Sequence, residues 1–151
     1  MNAGLHPLTS IHVHSSSTGT SLHAMETLKQ FGVILPYLTS VKDGKTRPCG
    51  IKDVKGDIGR GEAVKLSLAS GASFICGAEQ LLMTADGGTV AAHRSQGVPL
   101  YNGLPPKSAW SEVAPEVERI EHFPDDIGLG RVTVHGYDNV VLGCGVVAVW
   151  S

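Results

Sequence analysis

The sequence has no basic surplus, no paired cysteine spacing and no long apolar run, and each absence removes a class of protein. Lysine and arginine number 12 against 14 acidic residues, a formal net charge of −2. The cationic excess that neutralises phosphates is therefore missing, and nucleic acid is not an expected partner. The three cysteines, Cys49, Cys76 and Cys144, show no CxxC spacing, and their odd number leaves one over in any disulfide scheme, which points to a reduced compartment. No stretch reaches the roughly 18 apolar residues of a membrane-spanning helix. The beginning, MNAGLHPLTSIHVHSSS, has no basic segment followed by an apolar run. The expectation is a protein in the cytoplasm or assembled there into a particle, without a secretion signal, a membrane partner or a recognisable cofactor motif.

What is present suits a single strand-rich domain. The chain has 151 residues, 42% of them hydrophobic and 17% charged, enough for one core and far from the composition of disordered chains. Its 19 glycines fall mainly between short apolar runs, which predicts many brief strands joined by turns. Segment 11–15 alternates, with Ile11 and Val13 toward one side and His12 and His14 toward the other. The turn Lys42-Asp43-Gly44-Lys45 predicts a hairpin, because Asp-Gly accommodates positive φ. Val64, Leu66 and Leu68 alternate, turn at Ser70-Gly71 and return through Phe74 and Cys76. A further apolar run turns at Asp86-Gly87-Gly88, and the closing RVTVHGYDNVVLGCGVVAVWS reads as two apolar strands around 135–138. One short helix is expected at Ser21–Gln30, where Leu22, Met25 and Leu28 have helical spacing ahead of Gly32. Residues 101–118, broken by Pro105, Pro106 and Pro115, read as a surface loop or insertion.

Four pieces in order resemble the Hint family of inteins and hedgehog-type autoprocessing domains. STGTSLHAMETL resembles its opening motif. VILPYLTSVKDGKTRPCGIKDVKGDIGRGEAVKLSL resembles the strands that follow. VKLSLASGASFICGAEQLLMTADGGTVAAH resembles the hairpin that leads to a Thr-x-x-His motif, and TVHGYDNVVLGCGVVAVWS resembles the closing pair. The resemblance covers about residues 16–98 and 117–151. It implies one all-β, horseshoe-shaped Hint-like domain over 1–151, with residues 1–15 as an N-terminal extension.

The resemblance also implies where chemistry would lie. In the family a first residue attacks its preceding carbonyl, a Thr and a His polarise that peptide bond, and a terminal His-Asn releases the other end. Here Ser16 takes the nucleophile register, Gly77 replaces the Thr, Gln80 replaces the His, Val149 and Trp150 replace the His-Asn, and Ser151 follows. Glutamine hydrogen-bonds but does not titrate near neutrality, and neither valine nor tryptophan can cyclise. The resemblance thus implies a scaffold without catalytic residues, working as a structural or protein-interaction module, by self-assembly or with a protein partner, for example within a virus particle. The alternative is a self-cleaving domain that uses Ser16, with His14, His23 or His135 moving the proton.

Simpler readings stand beside these. Ser16 lies in a Ser-Ser-Ser-Thr-Gly stretch that suits a polar turn. His12 and His14 share a strand face and are weak zinc candidates, with His23 or Cys49 as a conceivable third ligand, but a full ligand set is absent and a solvated polar face explains them. Cys76 and Cys144 fit core packing. Glu116, Glu118, Glu121, Asp125 and Asp126 fit a solvated acidic loop. Turn chemistry accounts for Gly136, Asp138 and Asn139. Trp150 either closes the core or reaches a neighbour, and Trp110 is the lesser candidate for such a contact.

Overall fold

Asp43 and Gly44 adopt φ of 52° and 73°, the left-handed pair that a two-residue hairpin turn requires. They join Tyr37–Lys42 (β3) to Lys45–Cys49 (β4), with Lys42 opposite Lys45. A Gly44→Ala substitution meets no steric obstacle but forces a Cβ into positive φ, so it should cost about 1 kcal/mol, read as a lower urea midpoint at unchanged slope. The computed structural model describes residues 3–15, 19–24, 37–59, 62–103, 115–124 and 128–150.

Two more hairpins follow the expected alternation. Ala63–Leu68 (β6) buries Val64, Leu66 and Leu68 and pairs with Ser73–Gly77 (β7) around Gly71 at φ 94°. Leu81–Met83 (β8) pairs with Thr89–Ala91 (β9). Ile51–Gly59 (β5) pairs with Leu129–Val134 (β11), and Asn139–Val141 (β12) with Val147–Val149 (β13). With Ser10–Ser15 as β1, Gly19–Ala24 as β2 and Val117–Phe123 as β10, the strands of the described residues lie in four antiparallel sheets of order β2-β1-β3-β4, β10-β6-β7, β11-β5 and β12-β13-β8-β9. β13 is thus an interior strand with Val147, Ala148 and Val149 all buried, as its apolar sequence suggests.

Three expectations change. Ser21–Ala24, expected to open a helix, belongs to strand Gly19–Ala24 (β2), which pairs along its whole length with Ser10–Ser15 (β1), Ile11 opposite His23. Six ladder positions outweigh the weak periodicity of a ten-residue window; residues 25–30 lie outside the described residues. Val117 and Glu118, expected in the loop, begin strand Val117–Phe123 (β10), which pairs with β6. Residues 104–114 lie outside the described residues. The segment expected as an N-terminal extension enters the core instead, because Leu5, Ile11 and Val13 are buried and Leu5 bridges both Gly130 and Cys76.

The remaining core draws on every sheet, with Leu38, Leu66, Leu82, Leu100 and Leu129 fully buried. Burying such a side chain contributes about 1.5–3 kcal/mol. The only helical element among the described residues is the 3₁₀ turn Ala92–Arg94, and none of them forms a helix long and apolar enough to cross a membrane.

Candidate functional site around Gln80

Gln80 follows β7 by one tight turn, its backbone N–H donating to the Gly77 carbonyl at 3.0 Å and its carbonyl accepting from the Ala92 N–H at 2.8 Å. This fixes the backbone and sends the side chain inward, where only 1% of the residue is exposed. Its Oε1 accepts the Gly4 N–H at 2.8 Å, and its Nε2 donates to the Val149 carbonyl at 2.9 Å and the Leu81 carbonyl at 3.0 Å. One carboxamide therefore ties the N-terminal segment to the last strand. The donor and acceptor pattern permits only one orientation of the amide, since Gly4 offers a donor and Val149 an acceptor.

Gly4 is held on its other side too, because its carbonyl accepts the Gly77 N–H at 3.0 Å. Its φ is 122°, and a Cβ built there would lie 2.8 Å from Leu129 Cβ and 3.1 Å from the Gly130 carbonyl oxygen. Residue 4 therefore has neither the conformation nor the room for a side chain. The next residues continue the docking, with reciprocal bonds between Leu5 and Gly130 and a bond from the His6 N–H to Ile75.

The other residues singled out from the sequence are spread around the fold. Ser16 and Ser151 lie outside the described residues; Ser15 and Gly19, the described residues on either side of 16–18, form the last pair of the β1–β2 hairpin. The peptide facing Gln80 is Ala3–Gly4. His12 is 4% exposed rather than on a solvated face, and its Nδ1 bonds Thr39 Oγ1 at 2.9 Å. That face is covered rather than solvated, and the buried Thr39 hydroxyl on β3, the strand beside β1, satisfies the imidazole there. The side chains of His14 and His23 are outside the described residues. Cys49 bonds Ser40 Oγ at 2.9 Å, and among the described residues no three or more His, Cys, Asp or Glu side chains gather as a metal site would need. His135 is in an exposed turn, away from the bonds Gln80 makes.

Asn139 overturns its reading as a turn residue. It is 2% exposed, its Oδ1 accepts the Val41 N–H at 2.7 Å, and its Nδ2 donates to the Val41 carbonyl and to Asp138 Oδ1, each at 2.9 Å. It thereby joins β12 to β3, strands of different sheets. Among the described residues the one imidazole bonded to the turn before Gln80 is His93, whose Nδ1 donates to the Ala78 carbonyl at 2.7 Å. Sequence reasoning gave no signal for Gly4 or His93. A lone glycine or histidine carries no spacing.

Trp150 is 8% exposed and closes the core. Cys76 is fully buried, and burial holds its thiol well above the usual range; burial pushes the Cys144 thiol up to about 11. A thiol in the unfolded chain titrates near about 8.5. Above that pH the unfolded chain loses protons that the folded one keeps, so stability is whole below it and falls as pH rises toward 11. Urea midpoints measured from pH 7 to 10.5 should show that decline, and a flat profile would contradict the upward shift of these thiols.

No family model matches this chain, and no curated protein does. Solved structures do match over nearly the whole length. A DnaB intein from Synechocystis sp. PCC 6803 superposes with a TM-score of 0.77 at 16% identity, covering 99% of each chain. An intein from a hyperthermophile gives 0.77 at 16%, covering 97% of this chain and 98% of that one. The PabCDC21-1 intein gives 0.75 at 11% identity over 100% of both. The all-β architecture described above is the Hint fold. The chain is an intein-like Hint domain in its fold, at sequence identities that speak for the fold alone.

Proposed function

We propose that this domain is a Hint scaffold that does not cut peptide bonds and serves as a structural or protein-interaction module. The observation that supports it is the Gln80 clamp. In the family a histidine at this place polarises the peptide to be broken. Here a glutamine holds the Ala3–Gly4 peptide through the Gly4 N–H, and residue 4 is a glycine with no nucleophile and no space for one. A group that cannot titrate, bonding a residue that cannot attack, supplies neither step of an acyl shift. On this reading the position of a catalytic base serves as a strut between the Gly4 segment and β13. Fold and chemistry separate in this way because chemistry depends on a few side chains carried by the scaffold.

Intact-mass measurement tests this on the chain carrying short flanking tags, incubated with and without a strong thiol and hydroxylamine. Only the full mass is expected. Loss of the part before Gly4 or before Ser16 would overturn the proposal, and the second loss, abolished by Ser16→Ala, would establish self-cleavage through Ser16. A Gly4→Cys variant, which puts a thiol at the peptide bound by Gln80, should still give only the full mass and should lose about 2 kcal/mol of stability through backbone strain and the contact with Leu129.

A further inference from the structure

Among the described residues three buried side-chain polar atoms lack a hydrogen-bond partner, Thr9 Oγ1, Arg131 Nε and Trp150 Nε1, and the last two lie near the last strand. The Arg131 Nε and the Trp150 Nε1 are shielded from solvent without a hydrogen-bond partner, whereas Gln80, Asn139, Ser40 and Ser95 are all satisfied. An orphan of this kind in a native protein calls for an explanation such as a bound group. The two sit together, with the guanidinium carbon 5.5 Å from the centre of the Trp150 ring. Attraction to the ring face fixes the guanidinium, and its donors are the planar fork that matches an oxyanion.

The strand register adds a separate observation. Arg131 stands directly opposite Lys55 across the β11–β5 pair. Like charges in that position destabilise a strand pair unless an anion lies between them. Lys55 has a loose pairing with Asp53 at 3.8 Å, both side chains being largely exposed, which offsets little. Among the described residues no carboxylate pairs with Arg131. Asp138, whose main-chain carbonyl accepts the Trp150 N–H, turns its carboxylate to Asn139 Nδ2 instead.

We propose that Arg131, Lys55 and Trp150 form a carboxylate-binding site. Arg131 supplies a charged fork, Trp150 the indole N–H beside it and Lys55 the second positive charge. The carboxylate is that of a small free acid or of an acidic side chain or C-terminus on a protein. The site does not depend on whether the domain cleaves peptides, so its failure and that of the scaffold reading are separate events.

The test uses the full chain labelled with ¹⁵N. Its two tryptophans, Trp110 and Trp150, give two indole N–H signals, assigned with Trp150→Phe. Acetate, a short blocked peptide containing glutamate, and inorganic phosphate are each titrated at constant ionic strength. The Trp150 signal should shift saturably with acetate. Arg131→Gln should weaken that response about tenfold, the scale of one charge-assisted hydrogen bond. Lys55→Gln, a change on an exposed side chain that leaves folding intact, should weaken it about threefold through lost surface attraction. Tighter binding of the peptide than of acetate identifies a carboxylate carried on protein, and the reverse order a free acid. A shift that never saturates, one untouched by Lys55→Gln and Arg131→Gln, or a preference for phosphate would overturn the proposal.

Discussion

Gln80→Leu should lower the stability of the folded domain by about 4 kcal/mol, measured by urea unfolding. Leucine fills similar space, so the cost comes from hydrogen bonds. The substitution strands the Gly4 N–H and the Val149 carbonyl, both bonded to this side chain and buried with it, and each stranded group costs about 1–3 kcal/mol. The Leu81 carbonyl loses a partner as well. Gln80→Glu separates geometry from chemistry, because it keeps the acceptor toward Gly4 and sets a carboxylate against two carbonyls. Its folded-state pKa must then be raised, so the variant should be closest to the parent below the unfolded pKa of about 4.3 and lose stability as pH rises above it. An unchanged midpoint for Gln80→Leu would mean that the carboxamide is no strut.

Asn139→Ala should cost about 3 kcal/mol. Its side chain makes the two backbone bonds to Val41 that hold β12 against β3, and in sheets that share no ladder those bonds replace strand pairing. Alanine leaves the Val41 N–H and carbonyl without these partners, again at about 1–3 kcal/mol each. Hydrogen exchange should show the Val41 amide losing protection in the variant while amides of β6 and β7 keep theirs.

Asn139 and Gln80 also show how far the sequence could be read. The hairpins at Asp43-Gly44, Ser70-Gly71 and Asp86-Gly88 were legible because turn chemistry and alternation are local. β10 was hidden by the prolines before it and by its charged residues, since it gains its strand form by pairing with β6, a distant segment. The same applies to β2, whose partner β1 decided between strand and helix. His12 was misread because alternation tells which residues share a face, but not whether both faces are covered. Gln80 stood out by its place in a resemblance, as a residue of the wrong type. Its role was not legible, because Gly4 and Val149 lie 76 and 69 residues away in sequence. Gly4 itself gave no sign, since the constraint on it comes from Leu129 and Gly130.

These long-range contacts make one amide the most direct witness. Native-state hydrogen exchange of the Gly4 N–H reports whether the N-terminal peptide is locked onto Gln80 or open to attack. The clamp requires exchange slowed nearly to the rate of global unfolding in the parent chain, with that protection lost in Gln80→Ala. Fast exchange of the Gly4 amide in the folded parent chain, or protection that survives Gln80→Ala, would contradict the account.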